Sequence, residues 1–271
     1  MSIKNISESP LINIMGSAAM NAAKGLLRDF GELEHLQISR KGLGDFVSAA
    51  DQKCEKVLIT DLSKAKPDYN FITEESGVIE NSDSDFCWII DPIDGTSNFL
   101  HAIPHFAIAI ALKRGKDVIA ALTYDPMKDE MFWAEKGKGA YLNKRRIRVS
   151  NRKEFDTCIV SLGWLNADES KNNLIAKLPL FDQFGSVRQM GSAALDLAYV
   201  ASGRLDAYVF NSGLKIWDIA GGILMVKEAL GTVTEVTYGK NMIETGSILA
   251  ANQHVHQPLH RMLNDSPANP S

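Results

Sequence analysis

The chain has 271 residues, 45% hydrophobic and 23% charged, with a formal net charge of -4; this is the balance of an ordinary folded protein with a full core. A net negative charge gives no general attraction to nucleic acid or anionic lipid. The apolar stretch from Leu11 to Leu27 is interrupted by Asn13, Asn21 and Lys24, so neither a signal peptide nor a membrane span is expected, and the cytoplasm is the expected location.

Residues 8–30 and 45–66 carry apolar positions at helical spacing, and in the second Phe46, Ala49, Ala50, Val57, Leu58 and Leu62 form a core face. Cys54, Cys87 and Cys158 are odd in number and far apart, with no metal-ligand spacing; they read as buried thiols. After Pro67 the chain changes to short apolar runs at 70–73, 86–90, 105–112, 118–124 and 130–135, separated by Gly, Pro, Asn and Asp, which predicts a sheet of several strands. Residues 143–153, NKRRIRVSNRK, gather six cations. An RNA or partner patch is one reading of that run, but the alternation of Ile147 and Val149 favours an amphipathic strand with solvated charges.

From 158 onward, strand-like segments at 158–164, 206–210 and 247–252 alternate with helical patterns at 192–202 and 218–230. That is the order of an α/β protein. A soft boundary near residue 150 divides a helix-plus-sheet half, 1–150, from an alternating half, 151–264, with no linker between them. A closing helix is expected over 253–264, followed by a polar, proline-containing tail, 265–271, that is expected to be disordered.

The chemistry concentrates in WIIDPIDGTSNF, residues 88–99. An apolar strand runs into Asp91, Pro92 is expected to end its ladder, and Asp94 follows, so two carboxylates leave one tight turn. Like charges this close repel, and an oxygen-seeking divalent cation relieves them. Gly95 permits close backbone approach, Thr96 offers a hydroxyl, and a helix starting here would present N–H groups to an anion such as phosphate. The same residues also read as a surface turn. FITEES (71–76) puts Glu74 beyond another strand, and IWDIAGG (216–222) puts Asp218 at a helix start, where capping and metal binding are compatible roles. His101, His105, His254 and His256 read as loop, strand-start and solvent-facing positions, not ligands.

DPIDGTSNF, WDIAGG and FITEES resemble three motifs of the inositol monophosphatase family, in order and in register. KGLGDFVSAAD (41–51), KGKGAYLN (136–143), MGSAALDLAYVASGRLDAY (190–208) and ILAAN (248–252) extend the resemblance over nearly the whole chain. It implies the layered αβαβα sandwich of the inositol monophosphatase and fructose-1,6-bisphosphatase type, a lithium-sensitive phosphatase and a homodimer. It also implies a site with two to three magnesium ions. One would be held by Glu74, Asp91 and the carbonyl of Ile93, a second by Asp91, Asp94 and Asp218, and a third would sit near Glu74. Thr96, Asp51 and Glu74 would serve catalysis, Thr96 and Asp51 as a water-activating dyad. The amides of Gly95 and Thr96 would cradle phosphate, and Asp94, Gly191, Ser192, Ala193 and Asp218 would meet the alcohol.

The implied reaction is hydrolysis of inositol monophosphate or a similar small polyol phosphate. Relatives acting on 3'-phosphoadenosine 5'-phosphate, fructose 1,6-bisphosphate or histidinol phosphate are alternatives, as is a regulatory RNA- or protein-binding member of the fold. Three departures stand out. The acidic residue that the family places before WD is missing, leaving Phe210 or Asn211 at that corner; the segment from Gly163 to Asn173 is short; and EALG (228–231) replaces EAGG.

Overall fold

In the computed structural model the described residues are 6–33, 40–163, 178–237, 239 and 241–265. The Phe46 side chain, the stretch 164–177 and the tail 266–271 lie outside them, so the expectations placed there are not addressed. Helix α1 (Pro10–Leu33) opens with proline at its first position, where the missing N–H costs nothing. It buries Ile12, Met15, Ala19, Ala22 and Leu26 at three- and four-residue spacing. Helix α2 (Arg40–Ala65) buries Ala50, Cys54, Leu58 and Leu62, one residue per turn, and Pro67 follows its end.

Both helices cover one face of an eight-stranded sheet ordered β2-β1-β3-β4-β5-β6-β7-β8. Its strands are β1 (Asn70–Thr73), β2 (Gly77–Ile79), β3 (Phe86–Asp94), β4 (Ala107–Arg114), β5 (Asp117–Asp125), β6 (Glu130–Glu135), β7 (Gly139–Leu142) and β8 (Arg145–Ile147). Strand β3 is apolar from Phe86 to Ile90 because it is covered on both sides: Trp88 and Ile90 face α1 and α2, while Ile89 packs with Ala111 and Ala220 on the opposite face. Only β1 runs parallel to β3; the other pairings in this sheet are antiparallel.

A five-stranded sheet, ordered β10-β9-β11-β13-β12, is built from β9 (Ile159–Gly163), β10 (Ser186–Arg188), β11 (Ala207–Phe210), β12 (Thr232–Thr234) and β13 (Ile248–Ala251). Between the two sheets lie α4 (Ala193–Ala201) and α5 (Ile216–Glu228); Leu195, Leu197, Ile219 and Met225 share one core with Ala121 and Phe132 of the first sheet and Tyr208 and Ile248 of the second. The outer face of the second sheet is covered by α7 (His256–Asp265) through Leu259 and Leu263, and by Phe181 and Phe184. Two short α-helices, α3 (Thr96–Leu100) and α6 (Met242–Thr245), and two 3-10 helices, Phe155–Thr157 and Leu178–Gln183, complete the elements of the described residues. The layers are therefore helix, sheet, helix, sheet, helix.

Two local expectations are corrected. Pro92 does not end the ladder of β3: pairing with β4 shifts between Asp91 and Asp94 and resumes at Asp94 opposite Ala107, an irregularity that accommodates the missing N–H. His256 does not face solvent. It is buried, its Nε2 lies 3.1 Å from Thr234 Oγ1, and burial pushes its pKa down to about 4. The basic run behaves as an amphipathic edge: Ile147 is buried, while Arg145, Arg146 and Arg148 are exposed.

Adjacent glycines of α5 differ in what they face. A Cβ on Gly222 would lie 2.3 Å from Leu197 Cδ1 and 2.5 Å from Leu197 Cβ, whereas one on Gly221 would meet Ala121 Cβ at 3.5 Å, an ordinary contact. Alanine for glycine in a helix gains about 1 kcal/mol, and overpacking costs about 1–3 kcal/mol. Gly221→Ala is expected to leave stability unchanged or raise it by up to about 1 kcal/mol, and Gly222→Ala to lower it by about 1–2 kcal/mol. Urea midpoints of the two variants check the opposite signs.

Candidate active site

The parallel pairing of β1 with β3 sets Thr73 beside Ile90, so the next residues, Glu74 just beyond the end of β1 and Asp91 at the irregularity near the end of β3, stand side by side. Crevices outside such strand ends are where ligands bind in α/β folds. The Glu74 carboxylate reaches hydrogen-bonding distance of Asp91, and so does that of Asp218. Ligand oxygens of Asp91, Asp94 and Asp218 lie within 4.8 Å of one another. Asp51 of α2 closes the corner from the other side; it is 4% exposed, not a solvated helix residue, and its Oδ1 has no hydrogen-bond partner among the described residues.

Asp91, Asp94 and Asp218 are each held by nearby backbone N–H groups. Asp91 Oδ1 accepts the Ile93 N–H at 3.0 Å. Asp94 sits at the N-terminus of α4, where Ala193 N–H donates to Oδ1 at 3.2 Å, Ala194 N–H donates to Oδ2 at 2.9 Å, and the Ser192 hydroxyl also donates to Oδ2. Ser192 is the N-cap of that helix, and its hydroxyl accepts the Leu195 N–H. Asp218 is not the N-cap of α5, as its place in the sequence had suggested. Lys215 is the cap, and its N–H donates to Asp218 Oδ2 at 2.7 Å, with Asp218 at the third helical position.

Burial raises the pKa of every member of this group. Asp91 is held well above the usual carboxylate range, first by burial and then by Asp94, Glu74 and Asp218. Asp94 is pushed up to about 7 by burial and by Asp218, against the lowering effect of its bonds from Ser192, Ala194 and Ala193. Asp51 is pushed up to about 8 by burial and by Glu75, Glu74 and Glu55. Glu74 and Asp218 are raised by burial as well. Acids crowded this way need protons or a cation. The donors are carboxylates with a carbonyl at hand, a hard-oxygen set that fits magnesium or a similar divalent ion. The Ile93 carbonyl accepts the Thr96 hydroxyl at 3.0 Å, which leaves it a second lone pair.

Thr96 and Asp51 are not hydrogen-bonded to each other, because the Thr96 hydroxyl is turned to Ile93. Gly95 has φ 98°, and a Cβ there would lie 3.1 Å from the His105 carbonyl and 3.3 Å from that of Gly191, so only glycine fits. Gly191, Ser192 and Ala193 form the rim beside Asp94. Phe210 ends β11 and packs with Tyr208 in the middle core, while Asn211 follows it half-buried. His101 is exposed; His105 is buried, with Nε2 lacking a hydrogen-bond partner among the described residues.

Two residues outside the expected set also shape the corner. Asn98 donates its amide to the carbonyls of both His105 and Met190 at 2.8 Å, tying the Gly95 loop to the Gly191 loop. Glu55 is buried one turn beyond Asp51 and binds the turn that carries Glu74. Asn98 lies inside the DPIDGTSNF motif, four residues after Asp94, and Glu55 lies four after Asp51. Those spacings were the available signal.

For Asp51 and Asp94 the folded pKa values, about 8 and about 7, exceed the unfolded value near 3.8. The native state then holds more protons between these limits, and stability falls as pH rises through them. In chelator, the urea midpoint is expected to fall from about pH 5 to about pH 8, and saturating magnesium to flatten that fall. A midpoint that rises over the same range in chelator would contradict the carboxylate cluster.

The Inositol monophosphatase family model matches residues 7–267. An inositol-1-monophosphatase of Mesorhizobium japonicum is 44% identical over 256 residues, covering 94% of this chain and 96% of that protein. The Nus factor SuhB of Escherichia coli K12 is 41% identical over 250 residues, covering 91% and 92%. Among solved structures, the extragenic suppressor protein suhB from Bartonella henselae superposes with a TM-score of 0.88 at 43% identity, covering 95% of this chain and 100% of that one. With its motifs, its layered fold and its carboxylate corner all in agreement, the chain belongs to the inositol monophosphatase family.

Proposed function

We propose that the protein is a magnesium-dependent phosphomonoesterase that hydrolyses inositol monophosphate or a similar small polyol phosphate. The observation that carries this reading is the convergence of Asp91, Asp94 and Asp218, with Glu74 against Asp91, in a corner whose acids are all raised in pKa. Relatives named inositol-1-monophosphatase at 41–45% identity support the substrate class.

In this reading Glu74, Asp91 and the Ile93 carbonyl would hold one magnesium, and Asp91, Asp94 and Asp218 would hold a second, with a third expected near Glu74. When bound, the ions supply charge neutralisation for the phosphate, an acidified water and support for the leaving alkoxide. The protein's own groups do the rest. Ser192 and the Ala193 and Ala194 amides fix Asp94 in place. Asp51, through its free Oδ1, would orient the Thr96 hydroxyl and accept its proton as that hydroxyl takes one from water, which requires Thr96 to leave Ile93. The amides of Gly95 and Thr96 orient the phosphate, and the Gly191 to Ala193 rim meets the alcohol.

A cytoplasmic location fits three free, buried cysteines; cell fractionation checks it. No helix of the described residues is long and apolar enough to cross a membrane. The intact carboxylate set weighs against a purely regulatory role, although some relatives are named Nus factor SuhB.

Phosphate release from inositol monophosphate, 3'-phosphoadenosine 5'-phosphate, fructose 1,6-bisphosphate and histidinol phosphate, with and without magnesium, tests the reading directly. Asp94→Asn is expected to reduce kcat at saturating magnesium by about a hundredfold with the fold intact. Retention of more than about a tenth of wild-type kcat would remove Asp94 from the assignment.

Specificity forms a second expectation. Phe210 is taken up by the core, and Asn211, half-buried beyond the strand, is the better placed to meet a substrate hydroxyl. A charged acceptor contributes about 1.5–3 kcal/mol per hydrogen bond and a neutral one about 1 kcal/mol. Asn211→Glu is therefore expected to raise kcat/KM for inositol monophosphate about tenfold more than for glycerol 2-phosphate. Equal changes for both substrates would show that this corner does not read the alcohol. The enzyme is also proposed to be a homodimer, and a light-scattering mass near 29.8 kDa would reject that.

A further inference from the structure

Glu55 stands out because it is an acid in the middle of α2 that is only 1% exposed. Acids are rarely buried so completely unless their oxygens are satisfied. Here Oε2 accepts the Glu75 N–H at 2.9 Å, and Oε1 accepts the Ser76 N–H at 3.0 Å and the Ser76 hydroxyl. All three donors belong to the turn that joins β1 to β2.

That turn gives no other reason to be anchored so firmly. Glu75 and Ser76 are exposed, Glu74 is exposed along its stem while its carboxylate is partly enclosed beside Asp91, and the hairpin already closes through Thr73 paired with Gly77. Of the turn's two acids, Glu75 bears on Asp51, and Glu74 is the one whose carboxylate reaches Asp91. On the helix, Glu55 lies one turn from Asp51, so α2 presents one carboxylate to the corner and uses the next to grip its opposite wall.

We propose that Glu55 is a positioning residue: its carboxylate clamps the Glu75 and Ser76 amides so that Glu74 stays beside Asp91 as a ligand for a divalent cation. The clamp rests on the metal reading given above, and it makes Glu55 act through Glu74. Glutamine at this position would keep the size but turn an NH2 group toward a donor, since only one of its two ends can accept.

The test is magnesium binding measured by titration calorimetry on the full chain without substrate, for the wild type, Glu55→Gln, Glu74→Gln and the double variant. Loss of a group that orients a metal ligand typically lowers metal affinity about tenfold to a hundredfold. Glu55→Gln is expected to weaken binding by about tenfold, and the double variant to bind no more weakly than Glu74→Gln alone, because the two residues act in series. Wild-type-like affinity in Glu55→Gln, or losses that multiply in the double variant, would overturn the clamp while leaving the metal site standing. A wild type that binds no magnesium would overturn the metal reading and the clamp with it. If Glu55→Gln does not fold, Ser76→Ala removes one bond of the clamp. Its smaller loss of affinity must likewise disappear when Glu74 is already glutamine, and a loss that persists there overturns the proposal.

Discussion

Repulsion among carboxylates is the constraint around which this molecule is arranged. Ligand oxygens of Asp91, Asp94 and Asp218 converge within 4.8 Å, with Glu74 in contact and Asp51 close by. Left alone, such groups would spread apart or take up protons. They stay together because each is bound to a rigid element: Asp91 and Asp94 to a strand buried on both faces, Asp94 also to the start of α4, Asp218 to the start of α5, and Asp51 to α2. The helix ends contribute twice, since their free N–H groups both fix a carboxylate and stabilise its charge.

The holding is uneven, and the unevenness has chemical meaning. Asp94 receives three hydrogen bonds from α4 and its cap, which lower its pKa against burial. Asp91 receives a single backbone bond and faces Asp94, Glu74 and Asp218 together. A cation would relieve Asp91 most, which agrees with its place among the residues that would hold the proposed ions. Asn98 adds a mechanical tie, because one side-chain amide joins the loop that would hold phosphate to the loop that would hold the alcohol.

Much of this was legible in the sequence where the signal was long or chemically unusual. The long helices and the wide apolar strands repeat a period over many residues, and DPIDGTSNF, FITEES and WDIAGG set acids in matching positions at strand and helix ends. What escaped was either too short or tertiary. Strands β2, β10 and β12 have three residues each, too few to display alternation. Pro92 was expected to stop a ladder that an irregularity lets continue, and Asp218 was set at the cap when Lys215 holds that position. The burial of His256 and the work of Glu55 depend on contacts across the fold that no local pattern encodes.

The middle helical layer also bears on the order in which the chain becomes competent. Helix α5 lies against the first sheet but follows β11 of the second in the chain, and it brings Asp218 to acids that precede it by more than a hundred residues. During synthesis, Asp51, Glu74, Asp91 and Asp94 emerge well before their last companion. Contacts of such long sequence separation form slowly. Until α4 and α5 dock, Asp94 lacks its backbone donors and the early acids form only an open half-site. In the proposed site, cation capture of full strength would thus wait until α5 has docked, and a nascent or truncated chain ending before α5 would be a poor competitor for the metal.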